Sequence, residues 1–171
     1  MTTVPLYGDK AAGYIAQVDI GDYDLVMEYR WNVWGPYAKG PGQKPIGPYA
    51  ITTLWIDGRK VTIRMHNLIT GWPRVDHADG DGLNNQRYNL REATQAQNRQ
   101  NSTPNLNAVS QYKGVTLRHR QPLRPWVARI TIDGKLRYLG SFADEIAAAM
   151  AYDAAAQEAF GQFCLRNFPV E

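Results

Sequence analysis

Along the first third of the chain, apolar and polar residues alternate in short runs and do not recur at helical spacing. YIAQVDI (14–20), YDLVMEYRWNVW (23–34) and YAITTLWI (49–56) are rich in aromatic and β-branched residues and are separated by Gly and Pro. Residues 1–65 therefore predict a β-rich segment. Asp57-Gly58 sits between two alternating stretches in IDGRKVTIRM and predicts a tight hairpin. PYAKGPGQKPIGP (36–48) carries too much Pro and Gly for regular structure and predicts a loop.

The pattern changes after residue 65. MHNLITGW (65–72) predicts a helical turn leading into a strand at Asp76-His77, and Thr94 is placed to cap a helix over roughly 95–101. NSTPNLNAVSQ (101–111) is polar, aperiodic and interrupted by a proline, which reads as a linker. YKGVTLR, PWVARITIDG and KLRYLGSF then predict three strands, with Asp133-Gly134 turning the second hairpin. ADEIAAAMAYDAAAQEAF (143–160) predicts a helix that ends at Gly161, whose alanines offer a flat face for close packing on a sheet.

Composition narrows the class. No apolar run approaches the roughly 20 residues needed to cross a bilayer, and the N-terminal MTTVPLYGDKAAGY lacks the basic and apolar regions of a signal peptide. A single cysteine, Cys164, excludes an intrachain disulfide and a four-cysteine zinc site, fits a reducing cytoplasm, and reads as buried packing. Any metal would be held by oxygen and imidazole groups. Charge adds a further asymmetry. Residues 113–137 carry seven basic side chains against one acid, while residues 138–171 carry Arg166 against five acids. That predicts a small domain with basic residues on the sheet and acids on the helix, suited to a phosphate backbone.

The densest chemistry lies in VDHADGDGLNNQRYNLREATQAQN (75–98). Phosphodiester hydrolysis needs a base that works at neutral pH, which His77 supplies. It also needs a hard cation to neutralise charge on the phosphate, and oxygen ligands for that cation, here Asp76 and Asn98. Neighbours in a strand point to opposite faces, so Asp76 and His77 serve one site only if a twist or turn intervenes, which Gly80 and Gly82 permit. His66 reads as a structural histidine, and Asp79 and Asp81 as turn caps.

These residues resemble the HNH (ββα-metal) nuclease motif in the form found in phage and intron-encoded homing endonucleases. The resemblance runs over residues 65–101, through His66-Asn67-Leu68-Ile69, Asp76-His77-Ala78-Asp79-Gly80, Asn84-Asn85, Asn89-Leu90-Arg91 and Thr94 to Asn98. It implies His77 as general base, Asp76 and Asn98 as ligands of one Mg²⁺ or Mn²⁺ ion, and Asn89 as the brace of the loop between the strands. Asn67 departs from the family, which more often has Arg there, and this removes a phosphate contact.

Residues 112–169 resemble the ethylene-response-factor DNA-binding domain of plant transcription factors, a family also found fused to phage nucleases. The matches are Tyr112-Lys113-Gly114-Val115, Trp126 with Ala128 and Ile130, Tyr138-Leu139-Gly140-Ser141-Phe142, the run 148–153, and Arg166-Asn167-Phe168-Pro169. The resemblance implies a three-stranded sheet laid in the major groove. Lys113, Arg118, Trp126, Arg129, Lys135, Arg137 and Tyr138 are the candidate DNA contacts. Strict alternation cannot put Trp126 and Arg129 on one face, so either a bulge intervenes or one of them does something else. Thr116 stands where plant members carry Arg, so their target sequence does not transfer.

The expected fold class is α+β: a ββα-metal nuclease unit with an N-terminal β extension (1–101), a linker (102–111), and a three-stranded antiparallel sheet packed on one helix (112–171). The expected function is metal-dependent cleavage of double-stranded DNA by a homing endonuclease, acting in the host cytoplasm as a monomer or homodimer without membrane association. The alternatives are a non-catalytic DNA-binding regulator and a nuclease for branched or structured nucleic acid.

Overall fold

The computed structural model describes residues 1–9, 11–35, 47–104 and 108–169, and the fold is α+β. The chain divides into two compact units, one ending at Asn98 and the other running from Arg99 onward. Most of the loop expected over 36–48, and residues 105–107 of the expected linker, lie outside the described residues.

In the first unit, β1 (Thr2–Pro5) pairs antiparallel with β2 (Ile15–Val18). A second sheet has the order β3 (Asn32–Trp34), β4 (Tyr49–Ile56), β5 (Arg59–Arg64). The β4–β5 turn is the hairpin predicted at Asp57-Gly58, with φ of 49° and 71° at the two positions. Positive φ at both is what a two-residue turn needs to match the strand twist, and Asp and Gly tolerate it. α2 (Met65–Thr70) follows directly and ends at Gly71 in the left-handed region (φ 72°).

One segment departs from the β-rich expectation. Residues 23–27 of the YDLVMEYRWNVW run form a short helix, α1 (Tyr23–Met27), before the chain turns into β3. Tertiary packing overrides local propensity here. Val26 and Trp31 are both buried, and the Trp31 indole Nε1 donates to the Val26 carbonyl at 2.7 Å, closing the turn between them. Val4, Ala16, Val18, Val26, Trp31 and Met65 form the heart of this unit's core. The N-terminal β segment is thus part of the hydrophobic core of the catalytic candidate's own unit.

Strands β6 (Val75–His77) and β7 (Leu90–Glu92) form a short antiparallel pair, followed by α3 (Gln95–Gln100). Thr94 caps α3 as predicted, through a reciprocal box. The Gln97 amide donates to Thr94 Oγ1 at 3.2 Å, and Gln97 Oε1 accepts from the Thr94 amide at 2.7 Å.

In the second unit the sheet order is β10 (Lys135–Phe142), β9 (Trp126–Ile132), β8 (Val115–Leu117), all antiparallel. α4 (Glu145–Phe160) packs against it, with Ala148, Ala149 and Ala156 buried as the alanine pattern anticipated. Gly114 lets the Tyr152 ring approach its backbone closely, since a Cβ there would lie 1.9 Å from the ring. Among the described residues no helix is long and apolar enough to cross a membrane.

Candidate active site

The loop from residue 78 to residue 89 is held by its own polar side chains. Asp and Asn readily bond nearby backbone groups, which is why a segment so rich in them forms an ordered turn. Asp81 Oδ1 accepts from the Leu83 amide at 2.9 Å, and Asp79 Oδ1 accepts from the Asp81 amide at 2.8 Å. Asn89 is almost wholly buried and ties both ends together. Its Oδ1 accepts from the Asp79 amide at 3.0 Å, and its Nδ2 donates to Asp79 Oδ1 at 2.9 Å and to the Asn84 carbonyl at 2.8 Å. Its own carbonyl accepts from the Ala78 amide at 2.9 Å.

A second set of contacts reaches this loop from far away in sequence. The Gln17 amide donates to the Leu83 carbonyl and the Asn85 amide to the Gln17 carbonyl, both at 2.8 Å. Asp19 accepts from Gln86 Nε2 at 3.1 Å and from the Arg87 amide at 2.8 Å, and that backbone bond is the main reason its pKa is lowered. Arg87 grips Asp22 through Nε at 2.8 Å and a terminal nitrogen at 2.6 Å. These partners are 65–68 residues apart, and no local pattern pointed to them.

His77, at the end of β6, is 6% exposed. Its ring centroid lies 4.9 Å from that of His66, edge to face, and 5.9 Å from that of Tyr49, which also packs edge-on against His66. Tyr49, on β4, is a site residue the sequence reading did not single out. His77 Nε2 lies 3.5 Å from Asn85 Oδ1, whose amide is oriented by a bond from Nδ2 to the Leu83 carbonyl at 3.0 Å. Burial lowers the pKa of His77, opposed by Asn85 and by the carboxylates of Asp79, Asp76 and Asp81. Burial first, and then the neighbouring His77 and Arg64, push His66 down to about 3.

Those two shifts have a consequence for folding. A histidine whose pKa is depressed in the folded state binds its proton more readily when unfolded, so stability is lost as pH falls below about 6.5. With a folded value about 3, His66 alone costs about 2 kcal/mol between pH 7 and pH 5, and His77 adds in the same direction. Urea unfolding in EDTA is expected to show this drop in wild type and a smaller one in His66→Gln. A midpoint unchanged from pH 7 to pH 5 would contradict it.

Asp76 and His77 alternate in β6 as strand geometry requires, and Asp76 stands opposite Arg91. Arg91 takes Asp76 Oδ2 through Nε at 2.9 Å and a terminal nitrogen at 2.5 Å. Asn98, on α3, places a buried Oδ1 that has no hydrogen-bond partner among the described residues. It lines a cavity of about 330 Å³ together with Tyr49, Arg64, His66, Arg74 and Gln95, while Asp76 and His77 stand outside that lining. A buried carbonyl oxygen is costly to leave unpaired. A hard cation is a partner of the right chemistry for it, and Asp76, whose Oδ2 is held by Arg91, is the carboxylate that could join it. Among the described residues no three His, Cys, Asp or Glu side chains gather into a metal cluster, so the Asp-Asn pair would carry the ion with the help of substrate and water. Asn67 is used locally, with its Nδ2 donating to the Trp72 carbonyl at 2.7 Å.

In the second unit, β9 pairs with β8 without a bulge, from Val115↔Ala128 to Leu117↔Trp126. Trp126 therefore shares the face of Ala128 and packs against the cluster of Val115, Ala128, Ala148 and Ala149. The indole is half-buried there, one side on the core and the rest open. Arg129 stands opposite Tyr138 on the other face. Lys135 and Arg137 stand opposite Ile132 and Ile130, on the side that carries the core, with exposed side chains on an edge strand. Arg118 is exposed beyond β8. Lys113 is not an open cation. Its Nζ donates to the carbonyls of Arg99 (3.3 Å) and Gln100, and burial lowers its pKa to about 8. The candidate contacts thus do not share one surface. Asn167 and Asp153, part of the second resemblance, serve the fold. Asn167 accepts from the Lys113 amide at 2.6 Å and donates to Asp153 Oδ1 at 2.9 Å. Cys164 packs at the edge of the core with Ile130, Tyr152 and Ala156.

No protein-family model matches the chain. It is 27% identical over 158 residues to an uncharacterized HNH endonuclease of Acanthamoeba polyphaga mimivirus, an alignment covering 92% of this chain and 77% of that one. The similarity spans both units.

Proposed function

We propose that the protein is a metal-dependent DNA endonuclease of the HNH kind, with His77 as its general base. The observation that carries the reading is the combination of a buried His77 with an Asn98 Oδ1 in the cavity wall that has no hydrogen-bond partner among the described residues. The similarity to a viral protein named as an HNH endonuclease supports it independently.

Asp76 and Asn98 would hold one Mg²⁺ or Mn²⁺ ion, which supplies neutralisation of charge on the phosphate and on the departing 3′ oxygen. His77 takes the proton of the attacking water. Asn85 Oδ1 can only accept, so its contact with Nε2 favours the tautomer with the hydrogen there and the basic lone pair on Nδ1. Asn89 fixes the loop that follows His77, so the imidazole cannot swing with it. Tyr49 and His66 pack around the ring and limit the water that reaches it. Attack from water yields 5′-phosphate and 3′-hydroxyl ends. The second unit, with Arg118, Arg129, Lys135, Arg137 and Tyr138, holds the catalytic unit near duplex DNA by tethering, so neither part need bind tightly alone. The homing type, and with it a mobile-element role, rests on the sequence resemblance and belongs to this proposal.

The test is cleavage of a plasmid pool with Mg²⁺, with Mn²⁺ and with EDTA. Nicking or linearisation with either metal and none with EDTA is the expected result, and end mapping should return 5′-phosphates. Tight duplex binding without cleavage in either metal would instead favour the regulator reading.

A further inference from the structure

We propose that the open face of the β4–β5 hairpin is a contact surface for the backbone of duplex DNA, leading out of the candidate active site. The register sets Ile51 opposite Arg64, Thr53 opposite Thr62 and Trp55 opposite Lys60. Alternate residues of a strand share a face, so Arg64, Thr62, Lys60 and Trp55 lie on the same side as Tyr49. Arg64 and Tyr49 line the cavity that carries His66 and Asn98. The face therefore begins in the wall of the site and ends at the hairpin tip.

The exposures fit a surface left for a partner. Trp55 is 74% exposed, and Lys60, Thr62 and Arg64 are exposed with it, whereas Ala50 and Thr52 on the opposite face are buried. A tryptophan this open gains nothing for the fold. Among the described residues no carboxylate pairs with Lys60 or Arg64, and Arg64 contacts the Trp34 ring at 5.9 Å. Residues 49–64 hold three cations, Arg59, Lys60 and Arg64, against the single acid Asp57 at the turn.

Cationic nitrogens, hydroxyls and a flat aromatic on one strip suit phosphate oxygens and sugar. The strip from Arg64 to Lys60 runs roughly 13 Å at about 3.3 Å per residue, close to four base-pair steps along a duplex axis. A second copy of this chain suits it less. Two such faces meeting about a twofold axis would bring Lys60 and Arg64 against their like charges.

The inference rests on the nuclease reading for the position of the DNA, and its test separates the two. Full-length wild type, Lys60→Gln, Trp55→Ala and Arg59→Gln are compared in duplex binding over a salt series and in steady-state cleavage. Arg59 pairs with Ile56 on the opposite face, so its variant loses the same charge from the same hairpin. Lys60→Gln is expected to weaken binding about threefold to tenfold and to reduce the salt slope by about one. Trp55→Ala is expected to weaken binding by about tenfold, with kcat at saturating DNA unchanged in both. Equal effects of Lys60→Gln and Arg59→Gln would overturn the face. So would a Trp55→Ala variant that binds DNA normally but loses self-association on a sizing column. If wild type binds duplex without cutting, the nuclease reading fails, and the Lys60–Arg59 difference in binding still decides the hairpin.

Discussion

Replacing His77 by alanine is expected to slow metal-dependent DNA cleavage by roughly 10²–10⁴-fold, the usual loss on removing a general base. Duplex binding should stay within about twofold of wild type. The effect follows from the state of the ring. Burial lowers its pKa, so the imidazole is already neutral at pH 7 and ready to take a proton. Wild-type rate should accordingly be flat between pH 7 and pH 8 and fall only on the acid side of the ordinary histidine value, about 6.5. His66→Phe is the informative companion. His66 lines the cavity and His77 does not, yet His66 is pushed down to about 3, which makes it too weak a base to compete. A phenylalanine there should keep cleavage within about tenfold. If His66→Phe abolishes cutting and His77→Ala does not, the assignment of the base is wrong.

The second large effect is on stability. Arg91→Ala leaves Asp76, 8% exposed, as a buried carboxylate without the guanidinium that holds its Oδ2. Breaking one side of a buried pair typically costs about 3–5 kcal/mol, because the remaining charge is stranded in a poor solvent for it. Urea denaturation at pH 7 in EDTA should show a loss of that order. The double variant Arg91→Ala with Asp76→Asn should recover part of it, since the stranded charge is then gone. A loss below about 1 kcal/mol for Arg91→Ala would mean the pair contributes no more than an exposed ion pair does. By contrast Arg87, whose side chain is 58% exposed, should cost less when removed, although it also grips a buried aspartate.

Local chemistry carried much of this fold in plain view. The hairpins at Asp57-Gly58 and Asp133-Gly134 form because both positions of each turn need positive φ, which few other residue pairs tolerate. Thr94 caps α3 and the alanines of α4 lie flat on the sheet for equally local reasons. The Asn89 brace was legible for another reason. Its partners, Asp79 and Asn84, lie within ten residues, so spacing alone constrains them. α1 was not legible, since the residues of 23–27 carry no helical period and fold as they do around Val26 and Trp31. The setting of Trp126 was not legible for a related reason. The register of β9 against β8 puts it on the face of Ala128, where one side of the indole packs on the core, and no local pattern shows that.

The sequence by itself determined the short-range parts: the turn types, the capped helices, the ordered Asp-Asn loop, and the presence of His77, Asp76 and Asn98 at spacings that resemble a nuclease motif. Each depends on a residue and its near neighbours, so composition and spacing contain the answer. Only the tertiary structure decided which distant groups complete the site. Tyr49 reaches the two histidines from β4, and Asp19 and Asp22 clasp Gln86 and Arg87 across some 65 residues. Arg91 is set against Asp76 by strand register, and Trp126 is set against the core by the same kind of constraint. Burial then sets the protonation of His66 and His77. Register and burial are properties of the packed chain as a whole, which is why no stretch of sequence displays them.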